Sequence, residues 1–153
     1  MTKAAITALA IAGLLVASAD SASDRNLRIA QAFVSKHCHS GSRTATDVWQ
    51  AGWTFNALYG DCGGGDGHDQ RVWFFAGSRF IGNDASGSSA QIIASWRDDK
   101  TIAFLYVLYR QTDALCCPTG GAKTVRFRWT GTRLIRIDAL PRRTAAASPG
   151  RYP

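Results

Sequence analysis

The first 22 residues constrain the fold by leaving it. Met1-Thr2-Lys3 precedes an apolar run from Ala4 to Ala17, and small residues follow at Ala17-Ser18-Ala19 and Ser21-Ala22. A basic head, an apolar middle and an A-x-A exit predict a secretory signal peptide over residues 1–22, cut after Ala19 or Ala22. The run is shorter than the ~20 residues that cross a bilayer, so no transmembrane segment is expected after cleavage. The first cysteine, Cys38, lies well past the cut, so no acylated Cys is expected there. The product reads as a soluble exported protein, secreted or held in the cell envelope.

Removing 22 of 153 residues leaves 131, the size of one domain. Apolar residues make up 46%, and five are Trp, enough to build a packed core. The chain holds 18 Lys and Arg against 11 acids, every one an Asp, for a net charge of +7. Such a balance outside the cytoplasm favours an anionic partner: a wall polymer, lipid headgroups or nucleic acid. Nucleic acid is not expected as a specific partner, because the aromatics fall mainly at inward positions rather than on a stacking platform.

Four cysteines, Cys38, Cys62, Cys116 and Cys117, predict two disulfides in an oxidising compartment. A bond between the neighbours Cys116 and Cys117 would need an eight-membered ring, against ordinary disulfide geometry. The expectation is therefore that one of these two reaches Cys38 and the other Cys62, with the assignment open. The rival is a metal site in which His37 and His39 flank Cys38. Its spacing matches no zinc pattern, and oxidation would remove the thiolates. No metal and no cofactor are expected.

Ser23-Asp24 can cap a helix from Arg25 to about His37, with Leu27, Ala30 and Val34 on one stripe and Ile29 and Phe33 beside it. From Thr44 to Tyr59 neither period is clean. Beyond the glycine-rich turn at 63–69 the chain reads as strands. Val72–Ala76 and Arg79–Gly82 flank Gly77-Ser78, and Gln91–Arg97 and Thr101–Arg110 flank Asp98-Asp99-Lys100, two hairpin signals. The run Ile102–Tyr109 is apolar throughout, which predicts an inner strand covered on both faces. Val125, Phe127 and Trp129 alternate with Thr124, Arg126 and Arg128, inward against outward. Arg133–Ile137 follows as a last strand. These elements predict an α+β domain over residues 23–141: one N-terminal helix packed on an antiparallel sheet of about five to seven strands. Residues 142–153 hold little to bury and read as a flexible tail.

The run Val72-Trp73-Phe74-Phe75-Ala76-Gly77-Ser78-Arg79-Phe80-Ile81-Gly82 resembles a hydrophobic-Phe-x-x-Gly-x-aromatic-hydrophobic-Gly segment of the bacterial LppP/LprE lipoprotein family. Tyr59-Gly60-Asp61-Cys62 upstream, Cys116-Cys117-Pro118-Thr119-Gly120-Gly121, and Val125–Gly131 with Leu134 and Asp138-Ala139-Leu140-Pro141 are similar to it as well. The likeness runs from about Trp49 to Pro141. It implies an exported envelope protein of the high-GC Gram-positive type. It carries over no reaction and no catalytic residues. The chain departs from the family at the N-terminus, where the acylated Cys is absent.

Two places can carry function. Asp66, His68 and Asp69 lie close in the glycine-rich turn, where an Asp can orient a His as general base. That reading makes a secreted hydrolase; its rival is a solvated loop whose Asp side chains cap the turn. Arg126 and Arg128 share a strand face, and Arg136 joins them if Ile135 and Ile137 point inward. Such a stripe would present guanidinium forks to carboxylate or phosphate. With no Gly-x-Ser-x-Gly elbow and no phosphate loop ending in Lys-Ser or Lys-Thr, the sequence favours a non-catalytic binding or structural protein. Its expected partner is an anionic wall polymer or an envelope protein.

Overall fold

The computed structural model describes residues 20–38, 43–62, 69–85, 91–110, 112–114 and 116–141. The expected signal peptide, apart from Asp20–Ala22 at the start of the helix, and the expected tail at 142–153 lie outside these residues. Helix α1 spans Asp20–His37. Eight strands follow: β1 Arg43–Ala45, β2 Phe55–Asp61, β3 Gln70–Ala76, β4 Arg79–Asn83, β5 Ile92–Arg97, β6 Thr101–Val107, β7 Ala122–Trp129 and β8 Leu134–Arg136. The helix starts before Ser23-Asp24, which lies inside its first turns rather than capping it.

The strands do not make one sheet. β1–β4 form an antiparallel meander, sheet A, and β5–β8 form a second one, sheet B. The expected single sheet of five to seven strands under a helix is therefore wrong, and the molecule is mostly β. The physical reason is the core. Phe55 and Ala57 of β2 and Val72 and Phe74 of β3 face Ile102, Phe104 and Tyr106 of β6 and Val125, Phe127 and Trp129 of β7, all buried in one cluster. The Phe74 ring lies 4.7 Å from Phe127 and 6.2 Å from Phe104 across the two sheets. Two inward faces of this size bury each other only when the ladder breaks and the second sheet folds over the first.

Sheet A has a second core on its other side. Ala30, Val34 and Cys38 of the α1 end pack on Leu58, Trp73 and Phe75, with Phe33 stacked on Phe80 at 4.5 Å. The helix thus covers one sheet face, and sheet A is the middle of three layers. This explains why the segment before Tyr59 shows no clean period: β2 is buried on both faces, Phe55 and Ala57 to one side and Leu58 to the other. β6, expected to be covered on both faces, lies centrally in sheet B between β5 and β7. Its outward residues Thr101 and Ala103 are buried, although no helix among the described residues lies over them.

Two glycines of the Val72–Gly82 run serve this geometry. Gly77 turns the β3–β4 hairpin at φ 61°. Gly82 has φ 149°, and a β-carbon there would sit 3.1 Å from Leu134 Cδ2 of β8, so the two sheets touch closely at this point.

Candidate binding face of sheet B

The alternation of β7 builds the site. Val125, Phe127 and Trp129 go into the core, and Thr124, Arg126 and Arg128 therefore stand on the outer face of sheet B. Register extends that face across four strands. Trp96 of β5 pairs with Ala103 of β6, which pairs with Arg126 of β7. Ile137, just past β8, donates its backbone N–H to the Arg126 carbonyl at 2.8 Å and continues the row. Ile93, Leu105 and Thr124 form a second row, and Thr101, Arg128 and Ile135 a third.

This face is unusually apolar for one that no other layer covers among the described residues. Among the described residues, large hydrophobic side chains are exposed at Ile29, Trp53, Ile93, Trp96, Ile135 and Ile137, and the last four all stand on it. Ile135 and Ile137 are 43% and 40% exposed, so they point outward. The condition for a three-arginine stripe is therefore not met. Leu134 packs toward the core, and Arg136, in register with the buried Phe127, lies on the side opposite Arg126 and Arg128. The structure brings Arg126 and Arg128 together and separates Arg136 from them. What fills the face beside the two arginines is isoleucine and tryptophan.

Arg126 is held in place. Its Nε and Nη2 donate to Asp138 Oδ2 and Oδ1, each at 2.8 Å, and its backbone N–H donates to Oδ2 at 2.9 Å. The bidentate fork holds the Asp138 carboxyl down at about 2 and raises the guanidinium in turn. Two of the five guanidinium N–H groups go to Asp138, and the others remain for a ligand. Arg128 is exposed. Its charge helps, behind hydrogen bonds from Lys100 and Thr101, to hold Asp98 below the usual carboxylate range.

The other sequence candidates fall elsewhere. Asp66, His68 and His39 lie outside the described residues. Asp69 is placed: its carbonyl accepts the Cys62 backbone N–H at 2.9 Å. Among the described residues, no group of His, Cys, Asp or Glu side chains is placed to hold a metal ion.

The disulfides correct the expected pairing. Cys38 bonds Cys62, with Cα atoms 4.7 Å apart, and Cys116 bonds its neighbour Cys117. The reason is the layering. Cys38 ends the helix on the outer side of sheet A beside the end of β2, whereas Cys116 and Cys117 belong to the β6–β7 connection of sheet B. Asp113 ties that connection together by accepting from the Arg110 and Thr119 backbone N–H groups and the Thr119 hydroxyl.

Two polar clasps between the layers escaped sequence reasoning. Asp84, after β4, is buried and accepts the Tyr106 hydroxyl at 2.7 Å and the Val72 N–H at 3.1 Å. Burial pushes its carboxyl up, and burial beside Asp84 pushes the Tyr106 phenol up. At the other end of the sandwich, Arg97 of β5 donates to the Val48 and Phe55 carbonyls and to Asn56 Oδ1, with its guanidinium 4.3 Å from the Trp53 ring centroid. Desolvation lowers its affinity for a proton. A buried tyrosine hydroxyl inside an apolar strand needs a partner, and that need was the one sequence signal for the first clasp.

The model of the LppP/LprE lipoprotein family matches residues 56–132. The chain belongs to the LppP/LprE lipoprotein family. The match covers half of the chain and runs from β2 to the turn after β7. It spans both faces of the sandwich core, Asp84, Arg97 and Arg128, while α1, β8 and Asp138 flank it. It is narrower than the stretch from Trp49 to Pro141 in which the likeness was read. An LppP/LprE lipoprotein is an envelope-associated protein, and membership specifies no reaction. No curated protein and no solved structure gives a match. Among the described residues, no helix is long and apolar enough to cross a membrane.

Proposed function

We propose that this LppP/LprE protein is an exported, non-catalytic binding module of the cell envelope, which holds an anionic partner on the outer face of sheet B. One observation carries the reading. Four of the six exposed large apolar side chains among the described residues stand on a single sheet face together with Arg126 and Arg128. Concentrated exposed apolar surface marks an interaction site, and two guanidinium groups within it select for negative charge. The net charge of +7 adds long-range attraction to the same class of partner.

Retention on isolated cell envelopes tests this. Retention should fall as salt rises, and Trp96→Ser with Arg128→Gln should abolish most of it while the circular dichroism spectrum stays native. Arg128 is the choice because Arg126 also braces Asp138. Retention that ignores salt and survives both substitutions overturns the reading.

A further inference from the structure

The composition of the face narrows the partner, on the reading that the face binds at all. We propose that it seats on an anionic phospholipid surface, with Ile93, Trp96, Ile135 and Ile137 at the boundary of headgroups and acyl chains and Arg126 and Arg128 on the phosphates.

Three candidate occupants separate on chemistry. A second copy of the chain would bring another +7 against this one, and like charges oppose that approach. A hydrated anionic polymer satisfies the arginines but gives three isoleucines nothing apolar to enter. A bilayer surface takes both kinds of group at one depth. Aliphatic side chains enter the acyl boundary, tryptophan favours the interface itself, and arginine meets the phosphate layer. The shape agrees, since the groups lie along rows of one antiparallel sheet rather than in a cleft. The arginines are also interleaved with the apolar groups: Arg126 stands between Ala103 and Ile137 in its row, and Arg128 between Thr101 and Ile135. Helix α1 lies on the other side of sheet A and faces away from such a surface.

The test uses the full chain and vesicles of phosphatidylglycerol whose acyl chains carry bromine, a short-range quencher of tryptophan. Trp73 and Trp129 are buried, and Trp53 and Trp96 are the exposed indoles among the described residues. Binding should quench fluorescence, Trp96→Phe should remove most of that quenching, and Trp53→Phe should leave it. The readout is local to Trp96, so partition through another apolar segment does not imitate it. Arg128→Gln should weaken binding to these vesicles about fivefold, the effect of one cation at an anionic surface. Phosphatidylcholine vesicles should bind much less.

Quenching that is unchanged in Trp96→Phe, or equal on both lipids, overturns the proposal. If purified anionic wall polymer binds instead and envelope retention still depends on Trp96 and Arg128, the lipid partner is wrong and the binding face stands. If envelope retention depends on neither residue, the face itself is wrong.

Discussion

The Asp84 carboxylate and the Tyr106 hydroxyl meet at 2.7 Å inside the protein, one from the end of sheet A and the other from the middle of sheet B. The pair joins the two sheets inside the packed core, with the Arg136 charge near enough to act on the Tyr106 phenol. Asp84 also accepts the Val72 N–H, so its loss strands two buried donors. Asp84→Ala should cost about 1–3 kcal/mol for each donor left without a partner, measured by urea unfolding. Asp84→Asn should be milder, because the amide keeps an acceptor for Val72.

The pH response follows from the same residue. Burial raises the Asp84 carboxyl above its ordinary value, so the folded state holds that proton more tightly than the unfolded chain. Its contribution is present in full at pH below the ordinary Asp range and is lost as pH rises through the raised value. Asp138 and Asp113 act in the opposite direction, stabilising above the ordinary range and less as pH falls, for Asp138 toward about 2. Asp84→Asn should therefore remove a loss of stability on the rising side and leave the acid-side loss untouched. Unfolding curves at a series of pH values check both halves.

Arg97 clamps sheet B to the start of β2 and the segment before it through three acceptors, Val48 O, Asn56 Oδ1 and Phe55 O. Asn56 is itself buried and bonded to Gln50 and Trp53, so the clamp organises a whole turn. Arg97→Ala should destabilise by about 2–4 kcal/mol, in the range for broken buried networks. Arg97→Lys should recover less than half, since an ammonium cannot span the same acceptors. Chemical denaturation, with the slope unchanged, measures both.

The two disulfides should differ sharply in effect. Cys38–Cys62 closes a loop with a sequence separation of 24, worth about 3–4 kcal/mol in the chain-entropy model. Cys116–Cys117 joins neighbours and constrains almost none of the unfolded chain. Replacing the first pair by serine should lower the melting temperature markedly, and replacing the second should barely move it. A non-reducing peptide map should link the peptides of Cys38 and Cys62 and leave Cys116 and Cys117 within one peptide.

Gly82 and Gly77 offer a matched comparison. Both have positive φ, but a β-carbon at Gly77 meets open space while one at Gly82 meets Leu134 Cδ2. Gly77→Ala should cost about 1–2 kcal/mol, the left-handed backbone penalty alone. Gly82→Ala should cost more, because the Leu134 side chain must also yield. Thermal unfolding of the two variants decides it.

Local order was readable where one residue pattern has one outcome. The alternation of Val125, Phe127 and Trp129 with Arg126 and Arg128 gave the two faces of β7, and Gly77-Ser78 and Asp98-Asp99-Lys100 gave two hairpins. Whether successive hairpins extend one ladder or start another depends on contacts such as Phe74 with Phe127, more than fifty residues apart, and no local period encodes it. The same gap misdirected the cysteines, because the pairing of Cys38 depends on which layer the helix covers. Arg97 was hidden by its place, the last residue of a strand running into the Asp98-Asp99-Lys100 turn, where no local pattern marks a buried partner. Arg136 failed for a one-residue reason: Leu134 packs inward, and the period of two then turns Arg136 away from Arg126 and Arg128.

Amide hydrogen exchange of the chain bound to isolated envelope fragments, against the free chain, probes the claimed contact surface directly. Slowed exchange confined to β5, β8 and the strand ends beside Trp96 and Ile137, with α1 unchanged, is the result that fits. Slowed exchange over α1 with β5 and β8 unaffected would contradict it.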